Sequence, residues 1–418
     1  MTFSSGACDR FCMVDAFEHQ AAALGFRFVP SNPTFDIGEK HPEIARALAL
    51  ASPGLGSVLA TVRSKIPLAR SANTGAEHRF YRLASHNRSF CYALRDGDDI
   101  FNGPAIVWKG TEPLLDDFEK YVDWMAKAPF KRSTRVMADH FPLSEGKIPG
   151  ALSLAEARRE TDISLEVQAK HLGSYGELAR LPTPLFIHPF SEADNRRAAE
   201  VLRRRLSPPA FERIEPLLAR GLGVYVYHYP AAPIRSNFWT GLSGKKLSDH
   251  VKSSFDETAA VSGWVKLIVR LLYLGYLPYS IRNEGLGACM DAGNATIDGG
   301  FCDLDSVIPI ETNADDEYFR QSFIECLSTL QTTVERLIAK QVTKPDFGPD
   351  IETFAFSRYL CRQIELAIET EARPGLRLDP RVPALLSPKS LADVKSVIAR
   401  ENRPNWYSLY VKQRGGPS

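Results

Sequence analysis

The chain has 418 residues, 44% of them apolar and 24% charged, with a formal net charge of +1. That length allows two lobes or two to three domains, and the charge balance argues against a nucleic acid or an anionic membrane surface as partner. The seven cysteines are odd in number and irregularly spaced, with no Cys/His pairing that completes a zinc set, so reduced thiols in a cytoplasmic protein are expected.

Residues 1–75 read as an N-terminal extension with short helices at 17–24 and 41–51. Asp9, Arg10, Asp15 and Glu18 argue against a signal peptide. From 78 the pattern changes to short aromatic runs with alternation at 78–84, 89–94 and 105–109, punctuated by a Gly/Asp-rich turn at 95–104. This predicts an antiparallel meander. A helix is expected over 114–125.

Ser153 followed by Glu156 has the spacing of a capping box and opens a helix to about residue 172. A strand entered through prolines follows at 181–189, then helices at 191–206 and 211–218 and a strongly β-prone strand at 223–230. The basic run 196–205 is expected to be a solvated helix face. Beyond 231 the chain turns helical, at 256–275, 316–342, 351–372 and 389–400. The most apolar stretch, 261–277, contains Lys266 and Arg270 and is short for a bilayer, so a buried helix is expected.

Between the first two of these helices lies a polar segment, 281–306, holding Glu284, Asp291, Asp298, Asp303 and Asp305 with Asn283 and Asn294. Carboxylates and Asn carbonyls are hard oxygen ligands of the kind Mg²⁺ takes. A surface hairpin rich in turn formers is the plainer account. Against it, Phe301, Cys302, Leu304, Val307 and Ile308 alternate with or flank the acids.

Lys109 ends an otherwise apolar strand, which places its ammonium on a rigid element suited to a phosphate; protection of a sheet edge is the alternative. Glu166 lies near the border of the capped helix's apolar stripe and could hold a strand lysine, although taken singly an exposed pair with Lys170 at i+4 is the better account. Tyr227, with Tyr225, His228 and Tyr229, could line an adenine pocket or form an aromatic core strand.

The order of these features is the layout of protein-kinase chemistry: strand lysine, helix glutamate, further strands, then a helical half with Asn before Asp. The segments Val107-Trp-Lys-Gly-Thr-Glu-Pro, Ile163-Ser-Leu-Glu-Val-Gln-Ala-Lys-His-Leu-Gly and Asn294-Ala-Thr-Ile-Asp-Gly-Gly-Phe-Cys-Asp resemble the atypical kinase-like branch that contains selenoprotein O and HipA-type kinases.

The resemblance covers roughly residues 78–310. It implies an α+β, two-lobed kinase-like fold, with an N-lobe over 76–230 and a helical C-lobe over 231–418. It also implies ATP and Mg²⁺ as cofactors. Lys109 would hold phosphates, Glu166 would orient it, Asn294 and Asp303 would bind the metal, and Asp291, the nearest substitute for the family's acid, would serve the acceptor, with Glu284 as the fallback. Phosphoryl transfer to a small-molecule acceptor is expected first, AMP transfer to a protein substrate second. The chain departs from the family in having Gly293 where an Asp precedes the metal Asn, and in a longer segment between Lys109 and the helix. The first departure leaves a nucleotide-binding pseudokinase as the rival.

Overall fold

The computed structural model describes residues 33–56, 59, 80–81, 89–94, 103–110, 152–205, 207–231, 233, 257–278, 294–304, 307–310, 319, 323, 326–327, 330 and 353–386, and every structural statement below concerns these. The expectations for 17–24, 114–125 and 389–400, the turn after Arg95, and the residues Glu284 and Asp291 lie outside them. The fold is mixed α+β, and the chain divides into two compact units. The first unit comprises Met1–Lys127, Glu145–Ile234 and Gly241–Phe255; the second comprises Ala128–Ser144, Arg235–Thr240 and Asp256–Ser418.

The first unit is built on a seven-stranded antiparallel sheet. Its strands are β1 (Phe35–Asp36), β2 (Phe80–Tyr81), β3 (Ser89–Ala93), β4 (Ala105–Lys109), β5 (Leu152–Ser153), β6 (Thr183–Pro189) and β7 (Leu222–Tyr229). The order is β1-β6-β7-β4-β3-β2. β2, β3 and β4 form the meander that the alternating aromatic runs predict. β5 pairs with β7 just beyond β4: Lys109 faces Tyr225, and Leu152 faces Gly223. The chain leaves β4 at Gly110, whose φ of 93° suits glycine and whose missing Cβ would stand 2.8 Å from Leu152 Cβ.

Side chains alternate across the sheet. Ile106 and Trp108 of β4 and Leu222, Val224 and Val226 of β7 belong to one hydrophobic core. That core also takes Ile37 of α1 (Ile37–Lys40), Ile44 and Leu48 of α2 (Pro42–Ala51), Leu202 of α4 (Glu192–Arg205) and Phe211 of α5 (Pro208–Leu218). Residues 33–51 are therefore integral to this unit: β1 is the sheet's edge strand and the two short helices after it supply core. The opposite face of the central strands carries Val107, Lys109, Tyr225 and Tyr227, which sit directly across from one another. On α4, Arg203 pairs with Glu215 at 3.3 Å and Arg204 with Glu200 at 3.5 Å, so its basic run is an exposed face.

The long helix α3 (Leu154–Tyr175) joins β5 to β6. Ser153 occupies its N-cap as the spacing predicts, but its hydroxyl makes no capping bond and is buried without a hydrogen-bond partner among the described residues. Ser153 is instead committed to the β5 pairing with Leu222. The helix ends at Gly176, a left-handed cap with φ 73°, whose amide bonds Leu172 O at 2.9 Å. The buried Gln168 ties α3 to the entry of β6. Its Nε2 donates to Ala179 O, Leu181 O and Thr183 Oγ1 at 3.0–3.2 Å, and its Oε1 accepts from Ala179 N at 2.8 Å.

The second unit packs α6 (Glu257–Tyr273) against α7 (Thr353–Glu371). Arg270 Nε donates to Glu371 Oε2 at 2.7 Å, and Tyr273 Oη donates to Ile368 O at 2.8 Å. The apolar stretch that contains Lys266 and Arg270 is a buried helix: Val261, Trp264, Val265, Ile268, Leu271 and Leu272 all lie in the core. Among the described residues no helix is long and apolar enough to cross a membrane. Residues 319, 323, 326, 327 and 330 are helical and buried, at the spacing of one helix face. β8 (Tyr276–Pro278) pairs antiparallel with β9 (Val307–Pro309). Arg381–Leu385 forms a last short helix, α8.

Candidate functional site

Two pairs of polar side chains are buried where the sequence predicts chemistry, one in each unit. In the first, Lys109 Nζ donates to Glu160 Oε1. Only 9% of the Lys109 side chain and 5% of that of Glu160 is exposed, so the ion pair is shielded from water. β4 supplies the lysine at its last residue, and the first half of α3 supplies the glutamate.

This corrects the assignment of Glu166. Glu166 accepts from Lys170 Nζ at 2.9 Å on the outer face of α3, with both side chains about half exposed. Helix geometry gives the reason. At 100° per residue, Glu160 stands about 60° from the buried Ala157, whereas Glu166 stands about 180° away. Leu154, Ala157, Thr161, Leu165, Val167 and Gln168 are buried with Glu160 on that inner face, which mixes apolar, small and polar side chains, so the apolar residues alone do not single out one carboxylate beside them. A helix stripe without Lys or Arg, holding one carboxylate, is the sequence signal that identifies Glu160.

An ion pair buried this deeply is not explained by stability. Taking both charges out of water costs several kcal/mol per ion, and an apolar pair of equal volume is commonly as stable or more so. A fixed ammonium at the end of a sheet strand is, by contrast, suited to hold a phosphate. Tyr227 is also buried, opposite Val107 and Pro184, with its ring centroid 5.3 Å from that of Tyr225. It lies on the sheet face that carries Lys109.

In the second unit, residues 294–303 form a tight hairpin. Cys302 N bonds Asn294 O and Thr296 N bonds Gly300 O, both at 2.9 Å, and Ala295 bridges Phe301. The turn is closed by the side chains of Thr296 and Asp298, and Gly300 N donates to Thr296 Oγ1 at 3.1 Å. Asn294 and Asp303 are both buried at the base of this hairpin, Asn294 opposite Cys302 and Asp303 one residue further on. Asp298, at the other end, is used in the turn. The surface-hairpin account fails for this stretch, because Ala295, Thr296, Phe301, Cys302 and Leu304 are in the interior.

Asn294 and Asp303 each carry an oxygen of the kind that Mg²⁺ takes beside phosphate and water. Among the described residues no group of three or more His, Cys, Asp or Glu is placed to hold a metal by itself. The histidines do other work. His171 Nδ1 lies 2.7 Å from Glu177 O, and His228 Nε2 lies 2.9 Å from Ser52 Oγ. Full burial lowers the His228 pKa from 6.5 to about 3, so the ring is neutral.

No protein-family model matches the chain, and no curated protein matches it significantly.

Proposed function

We propose that the protein is an ATP- and Mg²⁺-dependent transferase of two-lobed, kinase-like design. The observation that carries the reading is the buried ion pair between Lys109 and Glu160. A strand lysine locked by a helix glutamate is the arrangement that protein kinases use to position nucleotide phosphates. The resemblance noted in the sequence is the second support, and it concerns the same lysine and the Asn294–Asp303 hairpin.

Lys109 contributes a positive charge at a fixed point. Glu160 holds that charge in place and sets its direction. Asn294 and Asp303 are the residues that would hold Mg²⁺, which when bound supplies charge neutralisation to phosphate oxygens. Asp291 is the group proposed to orient or deprotonate the acceptor. Phosphoryl transfer to a small molecule is the first choice of reaction, and AMP transfer to a protein follows from the likeness to selenoprotein O.

One observation favours nucleotide binding without turnover: Gly293 stands where the family has an acid before the metal Asn. A single assay separates the three. The protein is incubated with ATP, MgCl2 and candidate acceptors, and the nucleotide product is identified. ADP indicates kinase activity; pyrophosphate with AMP-modified protein indicates AMPylation. Stabilisation by MgATP without any product indicates a pseudokinase. If MgATP does not raise the melting temperature at all, the nucleotide reading is wrong.

A further inference from the structure

The Asn/Asp hairpin is seated on α6 by two contacts that its own ladder does not require. Trp264 Nε1 donates to Thr296 O at 2.9 Å. One residue earlier, backbone meets backbone. A Cβ on Gly263 would stand 2.8 Å from Gly299 Cα, and a Cβ on Gly299 would stand 2.8 Å from Gly263 Cα and 3.1 Å from Ala260 O. Gly299 also has a φ of 85°, which disfavours any other residue. Contact between two backbones leaves no rotamer to adjust, so the height of the hairpin on the helix is set rigidly.

We infer that Gly263 and Trp264 are positioning residues for Asn294 and Asp303, fixing on the helix the hairpin that carries both oxygen donors. The inference rests on the metal-holding role proposed above for that pair. The hairpin can transmit a displacement because it is cross-bonded at both levels, Cys302 to Asn294 and Gly300 to Thr296. A methyl group at Gly263 needs an ordinary carbon contact of about 3.5–4.0 Å. Against the 2.8 Å available, it displaces the tip by roughly 1 Å. Mg²⁺ accepts only near-octahedral geometry at short range. Groups that orient metal ligands without touching the metal commonly alter affinity by about 10–100-fold.

The test is a thermal-shift titration of MgCl2 at fixed ATP on the wild type and on Gly263→Ala. The expected result is a half-effect Mg²⁺ concentration raised about 10–100-fold, while the shift from metal-free ATP is unchanged. A folded Gly263→Ala variant with the wild-type Mg²⁺ midpoint overturns the inference. A merely structural role would lower the melting temperature without moving that midpoint. Trp264→Phe, which adds no atoms at the contact, repeats the test by removing the donor to Thr296.

Should neither variant fold, hydrogen exchange of the wild-type chain decides. Peptides from 257–273 and 294–304 are expected to gain protection together when ATP and MgCl2 are added. Protection of 294–304 alone overturns the seat on α6. A wild-type chain that MgATP does not stabilise overturns the metal reading itself, and the positioning role with it, at the first step.

Discussion

Lys109 and Glu160 are 51 residues apart in sequence and form one buried ion pair between the end of a strand and the inner face of a helix. Removing either partner takes from the other the counter-ion that this pair supplies. Glu160→Ala is expected to destabilise the first unit by about 3–5 kcal/mol, and the double variant Glu160→Leu/Lys109→Met to recover most of that. Urea unfolding of the singles and the double measures both. Glu160→Gln is expected to weaken MgATP stabilisation of the protein, whereas Glu166→Gln, on the solvated face, leaves it unchanged. Equal effects of the two would remove Glu160 from the site.

The proposed metal-holding role of Asn294 and Asp303 makes a separate prediction. Asp303→Ala is expected to abolish the Mg²⁺-dependent part of ATP stabilisation and to spare the metal-independent part. Asn294→Ala removes a neutral donor and is expected to weaken Mg²⁺ dependence less. A MgCl2 titration at fixed ATP reads both, and an Asp303→Ala variant with the wild-type Mg²⁺ response would exclude the residue.

Gln168 is the clamp between α3 and the entry to β6. Gln168→Leu conserves the bulk but strips bonding partners from Ala179, Leu181 and Thr183. With each buried polar group left unmade costing about 1–3 kcal/mol, a loss of at least 2 kcal/mol is expected. Chemical denaturation measures the loss, and a near-neutral outcome would mean that water replaces the amide.

His228 gives the chain a defined acid sensitivity. Folded, its pKa lies at about 3; unfolded, it returns to the ordinary 6.5. As pH falls below 6.5, the unfolded chain therefore binds a proton that the folded chain does not. Stability from this group is complete above pH 6.5 and declines by roughly 1.4 kcal/mol per unit as the pH drops towards 3. His228→Gln, which can still accept a bond from Ser52, is expected to flatten the melting temperature between pH 7 and pH 5. An unchanged slope would assign the acid sensitivity elsewhere.

The sequence is most legible where period and composition agree. The meander of β2 to β4, the β-prone β7 and the apolar α6 all follow from alternation or helical spacing, and their bounds fall within a few residues of expectation. Lys109 is conspicuous because it interrupts an apolar strand. Glu160 is not, because the inner face of α3 mixes Leu154, Leu165 and Val167 with small and polar residues, so the apolar stripe does not tell Glu160 from the neighbouring Glu166. The seat of the hairpin is harder still to read. Gly263 and Gly299 matter through what they lack, and their meeting requires the packing of a helix against a loop 36 residues later, which no local spacing encodes.

The close approach of Gly110 to Leu152 has a consequence for how this chain tolerates change in length. The polypeptide leaves the sheet at Gly110 and re-enters it beside that point at Leu152, so the two ends of the connection meet at a junction that the fold has already closed. In general, each doubling of a flexible connection between two such fixed ends costs only about 0.6 kcal/mol. Such a junction lets the spacer between the lysine strand and the glutamate helix lengthen or shorten over evolutionary time while the ion pair on either side of it keeps its geometry.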